Sequence, residues 1–156
     1  MKAYNSLSEI QEDLHQKRVT VKELVETYLQ NIDAYQHLNA FNEVFKHEAI
    51  TLAENLDYKL SIGTAGKLAG MVIAIKDNIC YKGHQVSASS KILSNFTSVF
   101  SATVVERLLA EDAIIIGRTN CDEFAMGGAN ENSYFGPVKN KADETRVPGG
   151  SSGGAA

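Results

Sequence analysis

Two short apolar runs constrain what this chain can fold into. "LAGMVIAIK" ends at Lys76 and "AIIIG" covers residues 113–117. Both are nearly continuous and rich in Ile and Val, which is how a strand buried on both faces reads. Between them, Thr103 and Glu106 stand at capping-box spacing, and Val104, Val105, Leu108 and Leu109 repeat with the helical period. Strand, loop, helix and strand predict a parallel βαβ unit, because parallel neighbours need a crossover and the crossover lays a helix over the sheet.

The first 65 residues have a different character. Leu7, Ile10 and Leu14 share one helical face, with Asn5 or Ser6 available as a cap. Thr20 and Glu23 form a capping box, and Val21, Leu24, Val25, Tyr28, Leu29 and Ile32 predict a helix of about four turns. "NAFNEVF" reads as a short extended piece. A third helix follows, on which Phe45, Ala49, Leu52, Ala53, Leu56 and Leu60 recur, with Gly63 and Gly66 marking its end. The expected fold is therefore α/β: a helical layer over residues 1–65, then the first strands of a mixed, mostly parallel sheet covered by helices over residues 66–156. Beyond Gly117, "RTNCDEFAMGGANENSYFG" reads as a strand-to-helix loop with Asn120 as the cap, and "DEF" as an acidic first helical turn.

Composition sets the limits on function. The 156 residues are 44% hydrophobic and 22% charged, as in an ordinary globular domain. Fifteen Lys and Arg against nineteen Asp and Glu give a net charge of -4, without a basic cluster that would mark a nucleic-acid surface. Cys80 and Cys121 lack the spacing of a zinc or redox motif and are expected as reduced thiols. The four histidines have no metal-ligand spacing either, so no metal site is expected in this chain. The N-terminus resembles neither a signal nor a transit peptide, and no run reaches the roughly 20 apolar residues of a membrane span. A cytoplasmic protein without a membrane association is the expectation.

Two features could carry chemistry. Lys76 stands where a strand emerges, and ligands bind at the carboxyl ends of strands in open α/β sheets. A lysine whose stem lies among apolar neighbours loses hydration of its ammonium and can then serve as a base. The alternative is that Lys76 simply reaches water or pairs with Asp77. The second feature is "VPGGSSGGAA", residues 147–156. Its glycines permit backbone angles that a side chain forbids, and Ser151 and Ser152 place hydroxyls at its centre. A flexible linker, a phosphate cradle and a catalytic serine loop all fit such a stretch. The phosphate reading is the weakest on pattern, because Gly-Gly is followed by Ala155 rather than by Lys and Ser or Thr.

Taken together and in this order, "LAGMVIAIKDNI", "TNCDEFAMGG" and "VPGGSSGG" resemble the amidase signature family, whose Ser-Ser-Lys triad hydrolyses amides. "DEFAMGG" followed by "ENSYFGPVKN", and the N-terminal "VTVKELVETYLQNI", are most similar to the family's A subunits of tRNA-dependent amidotransferases. The resemblance implies a glutaminase that frees ammonia from glutamine. It also implies a B subunit, with a small C subunit in some complexes, that uses ATP and magnesium to activate a mischarged glutamyl-tRNA(Gln) or aspartyl-tRNA(Asn).

Carried over by position, the resemblance makes Lys76 the base and Ser151 the bridging serine that relays a proton from the nucleophile, with a cis peptide bond next to Ser151. Ser152 is expected to hold the loop, and Met126 and Gly127 to line the glutamine pocket. The family's nucleophilic serine falls past Ala156, so these 156 residues are expected to be an N-terminal fragment, inactive alone, of a single-domain parent. Two other readings use the same residues. One is a fragment of a stand-alone amidase acting on another small amide, and the other is a short non-catalytic protein that binds the partner subunit.

Overall fold

A computed structural model describes residues 2–156 of the chain. Its elements in order are α1 (Leu7–His15), α2 (Val21–Ala34), β1 (Phe41–Val44), α3 (Lys46–Ser61), β2 (Val72–Lys76), α4 (Thr103–Ala110) and β3 (Ile114–Thr119). By its contacts the chain divides into two compact units. One comprises residues up to Ala34, Phe45–Ile73 and Glu106–Ile116; the other comprises Tyr35–Val44, Ala74–Val105 and Gly117–Ala156.

The first unit is built on helix packing. The Ser6 hydroxyl accepts from the Glu9 N–H and starts α1. At α2 the capping box forms in full: Thr20 Oγ1 accepts from the Glu23 N–H at 3.1 Å, and the Glu23 carboxylate accepts from the Thr20 N–H at 2.8 Å. Asp57 of α3 takes the next two orphan amides, those of Val21 at 2.7 Å and Lys22 at 3.1 Å, and so ties the two helices together. Helix α2 buries Val21, Leu24, Val25 and Leu29, and α3 buries Ala49, Ala53 and Leu56. The two alanines at i and i+4 carry little bulk, so α2 can approach α3 closely. Each enclosed Leu or Val contributes about 2 kcal/mol of transfer free energy. The end of α3 is set by Gly63, whose φ of +70° lets the Thr64 N–H turn back to the Lys59 carbonyl. Gly66 serves a different contact, donating its N–H to the Asp112 carboxylate at 2.7 Å.

The sheet is mixed, with strand order β1–β3–β2. Strand β1 runs antiparallel to β3, pairing Phe41 with Thr119 and Val44 with Gly117. Strands β2 and β3 rise together: the Ile114 N–H meets the Met71 carbonyl at one end, and the Asp77 N–H meets the Thr119 carbonyl at the other. This is the parallel βαβ unit that the sequence predicts. The expectation that both apolar runs are buried on both faces holds for β3 alone. All six residues of β3 are buried because it is the central strand, whereas β2 is terminal in the order and buries only Ile75 within its span. Continuous hydrophobicity in "MVIAI" therefore reports strand character without reporting how much of it this chain covers. No helix among the described residues is long and apolar enough to cross a membrane.

Asp112 follows α4 in a left-handed conformation, φ +64°, and bonds Lys59 at 2.6 Å as well as Gly66. Burial alone would raise its pKa, but the Lys59 ammonium and the Gly66 N–H together hold the carboxyl below its usual range. The unfolded chain then binds this proton more readily than the folded one. The stabilisation is complete above the usual carboxylate range and is lost as pH falls through the lowered folded value. Asp112→Asn keeps an acceptor and tolerates the backbone angle while removing the charge. It should lower Tm at neutral pH by roughly 2 °C, since Lys59 is half exposed, and should lose less Tm than the parent between about pH 5 and about pH 3. Parallel Tm-against-pH curves would remove Asp112 from the acid sensitivity.

Candidate functional site

Lys76 is the last residue of β2, at the carboxyl end of a parallel strand pair. Its Nζ lies 2.5 Å from Ser151 Oγ and 2.9 Å from Ser152 Oγ, so the fold joins residues 75 and 76 positions apart in sequence. Lys76 and Ser151 are half-buried, while Ser152 is exposed. The serine loop is clamped by residues just past β3. The Asp122 N–H donates to the Ser151 carbonyl at 3.0 Å, and the Gly154 N–H donates to the Asn120 carbonyl at 3.0 Å. The peptide bond between Gly150 and Ser151 is cis.

Asp77, the first residue past β2, takes a different set of partners from Lys76. Its carboxylate has no exposure. It accepts from the Ser87 N–H at 2.9 Å, Ser87 Oγ at 2.5 Å, the Ser89 N–H at 2.9 Å and Asn42 Nδ2 at 2.8 Å, and it pairs with the Arg118 guanidinium. Arg118, on β3 and also buried, reaches Glu43 of β1 at 3.2 Å. The carboxylate thus has a charged partner and four further donors, the condition under which a buried charge is tolerated. Asp77 is therefore committed to Arg118, and the alternative in which it pairs with Lys76 is not the arrangement adopted.

Asn120 does not cap a helix. It is fully buried, with Nδ2 donating to the carbonyls of Asn39 (3.1 Å) and Gly136 (3.0 Å) while Oδ1 accepts from Ser89 Oγ and Ser133 Oγ. "DEF" is likewise no acidic first turn of an α-helix. Glu123–Ala125 form a single 3-10 turn in which Phe124 is left-handed, and Asp122 points inward at 2% exposure. Asparagine and aspartate suit loops as well as caps because their side chains bond local backbone, so the residue types alone do not separate the two uses. Met126 is 76% exposed, and its carbonyl accepts from Asn132 Nδ2 at 3.0 Å. Gly127 is exposed, and a Cβ placed there would overlap the Asp122 carboxylate. Met126 and Gly127 thus share a loop whose anchor, Asp122, also holds Ser151.

Sequence reasoning does not single out Arg118, Asn42, Ser87, Ser89 or Ser133, and it does not give Asn120 its buried role. Arg118 carries the clearest signal: an ionisable residue directly after "AIIIG", where a buried strand predicts an apolar one. Cys80 and Cys121 are both free, and burial pushes the Cys121 thiol up. The groups gathered at Lys76 are an amine and two hydroxyls, donors suited to moving a proton between heteroatoms and not to holding a hard cation such as magnesium.

Comparison with known proteins identifies the family. The amidase family model matches residues 23–156. The chain is 51% identical over 154 residues to the A subunit of glutamyl-tRNA(Gln) amidotransferase from Chlorobium phaeobacteroides, covering 98% of this chain and 32% of that protein. Among solved structures it is similar to the corresponding glutamyl-tRNA(Gln) amidotransferase A subunit of Thermotoga maritima, with TM-score 0.71 and 34% identity over 99% of this chain and 32% of the other. It is also similar to a bacterial aryl acylamidase of the amidase signature family, with TM-score 0.90 and 28% identity over 97% of this chain and 32% of the other. The chain spans about a third of the length of the curated relatives it matches. With a strand-end lysine held against paired serines between glycines, and the family model matching from residue 23 to Ala156, the chain belongs to the amidase family.

Proposed function

We propose that this chain forms part of the glutaminase subunit of a tRNA-dependent amidotransferase, and that Lys76 and Ser151 are two members of its Ser-Ser-Lys triad. The observation that carries this is the 2.5 Å contact between Lys76 Nζ and Ser151 Oγ, in a chain 51% identical to an amidotransferase A subunit. The third member, a nucleophilic serine, lies outside the 156 residues.

In this reading Lys76 Nζ offers a lone pair to the Ser151 hydroxyl. Ser151 gives its proton to Nζ while accepting the proton of the nucleophile, whose oxygen attacks the side-chain amide carbon of glutamine. The carbon–nitrogen bond then breaks, and the departing nitrogen takes a proton back through the same relay to leave as ammonia. Water hydrolyses the acyl-enzyme to glutamate. Ser152 steadies the loop through its own contact with Nζ, and Met126 and Gly127 line the glutamine pocket. The B subunit, joined in some complexes by a small C subunit, uses ATP and magnesium to activate the mischarged tRNA and receives the ammonia. Glutamyl-tRNA(Gln) is the favoured acceptor, since that is the substrate named in the relatives, with aspartyl-tRNA(Asn) as the other. A cytoplasmic location follows from this role in protein synthesis.

A second reading, a stand-alone amidase acting on another small amide, is supported by the TM-score of 0.90 to an aryl acylamidase. It shares the relay and differs in substrate and in having no partner. The full gene product decides between them: glutamine hydrolysis together with copurification of a B subunit supports the amidotransferase, and turnover of simple amides by the lone protein supports the amidase.

Two variants of the full gene product test the relay. Lys76→Ala should lower kcat for glutamine hydrolysis by about 100-fold to 10,000-fold, with KM and assembly of the complex little changed. Unchanged turnover would sink the triad assignment. Ser151→Ala should cost at least about tenfold more in kcat than Ser152→Ala, because one hydroxyl is in the proton path and the other beside it. The reverse order would make Ser152 the relay.

A further inference from the structure

The loop assigned to substrate and the loop assigned to proton relay meet on one buried side chain. Asp122 is 2% exposed. Its carboxylate accepts from the Asn130 N–H at 3.0 Å. Gly127 and Gly150 both face that carboxylate, and a Cβ at either position would overlap it. Asp122 has a second grip through its backbone, whose N–H donates to the Ser151 carbonyl at 3.0 Å. Asn130, left-handed at φ +58° and fully buried, lies in turn against Gly153, where a Cβ would overlap its side-chain amide. Residues 126–130 are therefore tied to the Asp122 carboxylate by a hydrogen bond and packed on it at Gly127, while the serine loop is packed on it at Gly150 and tied to Asp122 through its backbone N–H. Moving residues 126–130 away would cost the buried carboxylate its Asn130 N–H bond, and moving the serine loop away would break the Asp122 N–H bond to the Ser151 carbonyl, so neither loop shifts relative to Asp122 at little cost.

We propose that Asp122 is a positioning residue that sets the spacing between the loop at Met126–Asn130, in which Met126 and Gly127 are read as lining the glutamine pocket, and the relay serine Ser151. This rests on the reading of Ser151 as the relay. Asp122 acts as an acceptor of fixed size and touches neither the substrate nor the moving proton. Small displacements between a bound substrate and a catalytic group are costly, so a residue of this kind affects binding and turnover together, whereas the base Lys76 affects turnover alone.

The test uses the full gene product in three forms. Asp122→Ala removes the acceptor; Asp122→Asn keeps an oxygen for the Asn130 N–H at nearly the same volume; Gly127→Ala drives a methyl group against the carboxylate from the substrate loop. Amide hydrogen exchange, which needs no activity, should be faster by about tenfold or more in Asp122→Ala at Asn130 and across Gly150–Gly154, and near the parent value in Asp122→Asn. In glutamine hydrolysis Asp122→Ala should both raise KM and lower kcat by about tenfold or more, with Asp122→Asn restoring most of each. Gly127→Ala should lower kcat as well as raise KM, and should quicken exchange in the serine loop, although the substitution lies in the other loop. Unchanged exchange at Gly150–Gly154 in both Asp122→Ala and Gly127→Ala overturns the coupling, as does a Gly127→Ala effect confined to KM. Should Asp122→Ala not fold, Asp122→Asn and Gly127→Ala still decide: an Asn variant as impaired as an unfolded one refutes the acceptor role. Failure of the relay reading appears separately, as undiminished turnover in Lys76→Ala, while the exchange data continue to report on Asp122.

Discussion

A carboxylate with no access to water holds the working end of the sheet together. Asp77 follows β2, its guanidinium partner Arg118 stands on β3, and Asn42 and Glu43, which complete the cluster, belong to β1. Three strand ends are thereby cross-linked by charge and hydrogen bonds as well as by the ladder. Removing one partner of such a pair leaves the other charge stranded, at a cost of about 3 to 5 kcal/mol. The network also engages the charge next to Lys76, whose own amine bonds the Ser151 and Ser152 hydroxyls.

The serine loop is held by backbone more than by side chains. Asn120 and Asp122 each grip it through a main-chain group, and each has its own side chain committed elsewhere, Asn120 to the carbonyls of Asn39 and Gly136 and Asp122 to the Asn130 N–H. This division lets the residues after β3 serve as a frame on which two loops are mounted. Glycines at 127 and 150 are part of the same frame, since a side chain at either would occupy the space of the Asp122 carboxylate. Three of the four glycines that make "GGSSGG" read as a linker, Gly150, Gly153 and Gly154, are thus points of close packing, whereas Gly149 faces open space at φ +99°.

Local signals are legible wherever the physics is local. Helical spacing locates α1, α2 and α3, and both ends of the Thr20–Glu23 capping box are made as their three-residue separation requires. Two apolar runs with a helix between them are enough for the parallel β2–β3 pair. The same reasoning fails at Asn120 and at "DEF", where residues common at helix starts are buried loop anchors instead. It also overstates the burial of β2, because an apolar strand reads alike whether it is central or terminal.

The chain's own order of residues determined its strand and helix character, the lysine at a strand end and the glycine-flanked serines, all of which depend on neighbours a few positions apart. Tertiary structure alone decided that Asp77 pairs with Arg118 across 41 positions, and it brings Ser151 to Lys76 across 75, a meeting that the residues implied only through their family resemblance. It also decided that Asp122 lies beneath both loops. The physical reason is that a buried polar group takes whichever partner the fold delivers, and that choice leaves no periodicity in the sequence to read.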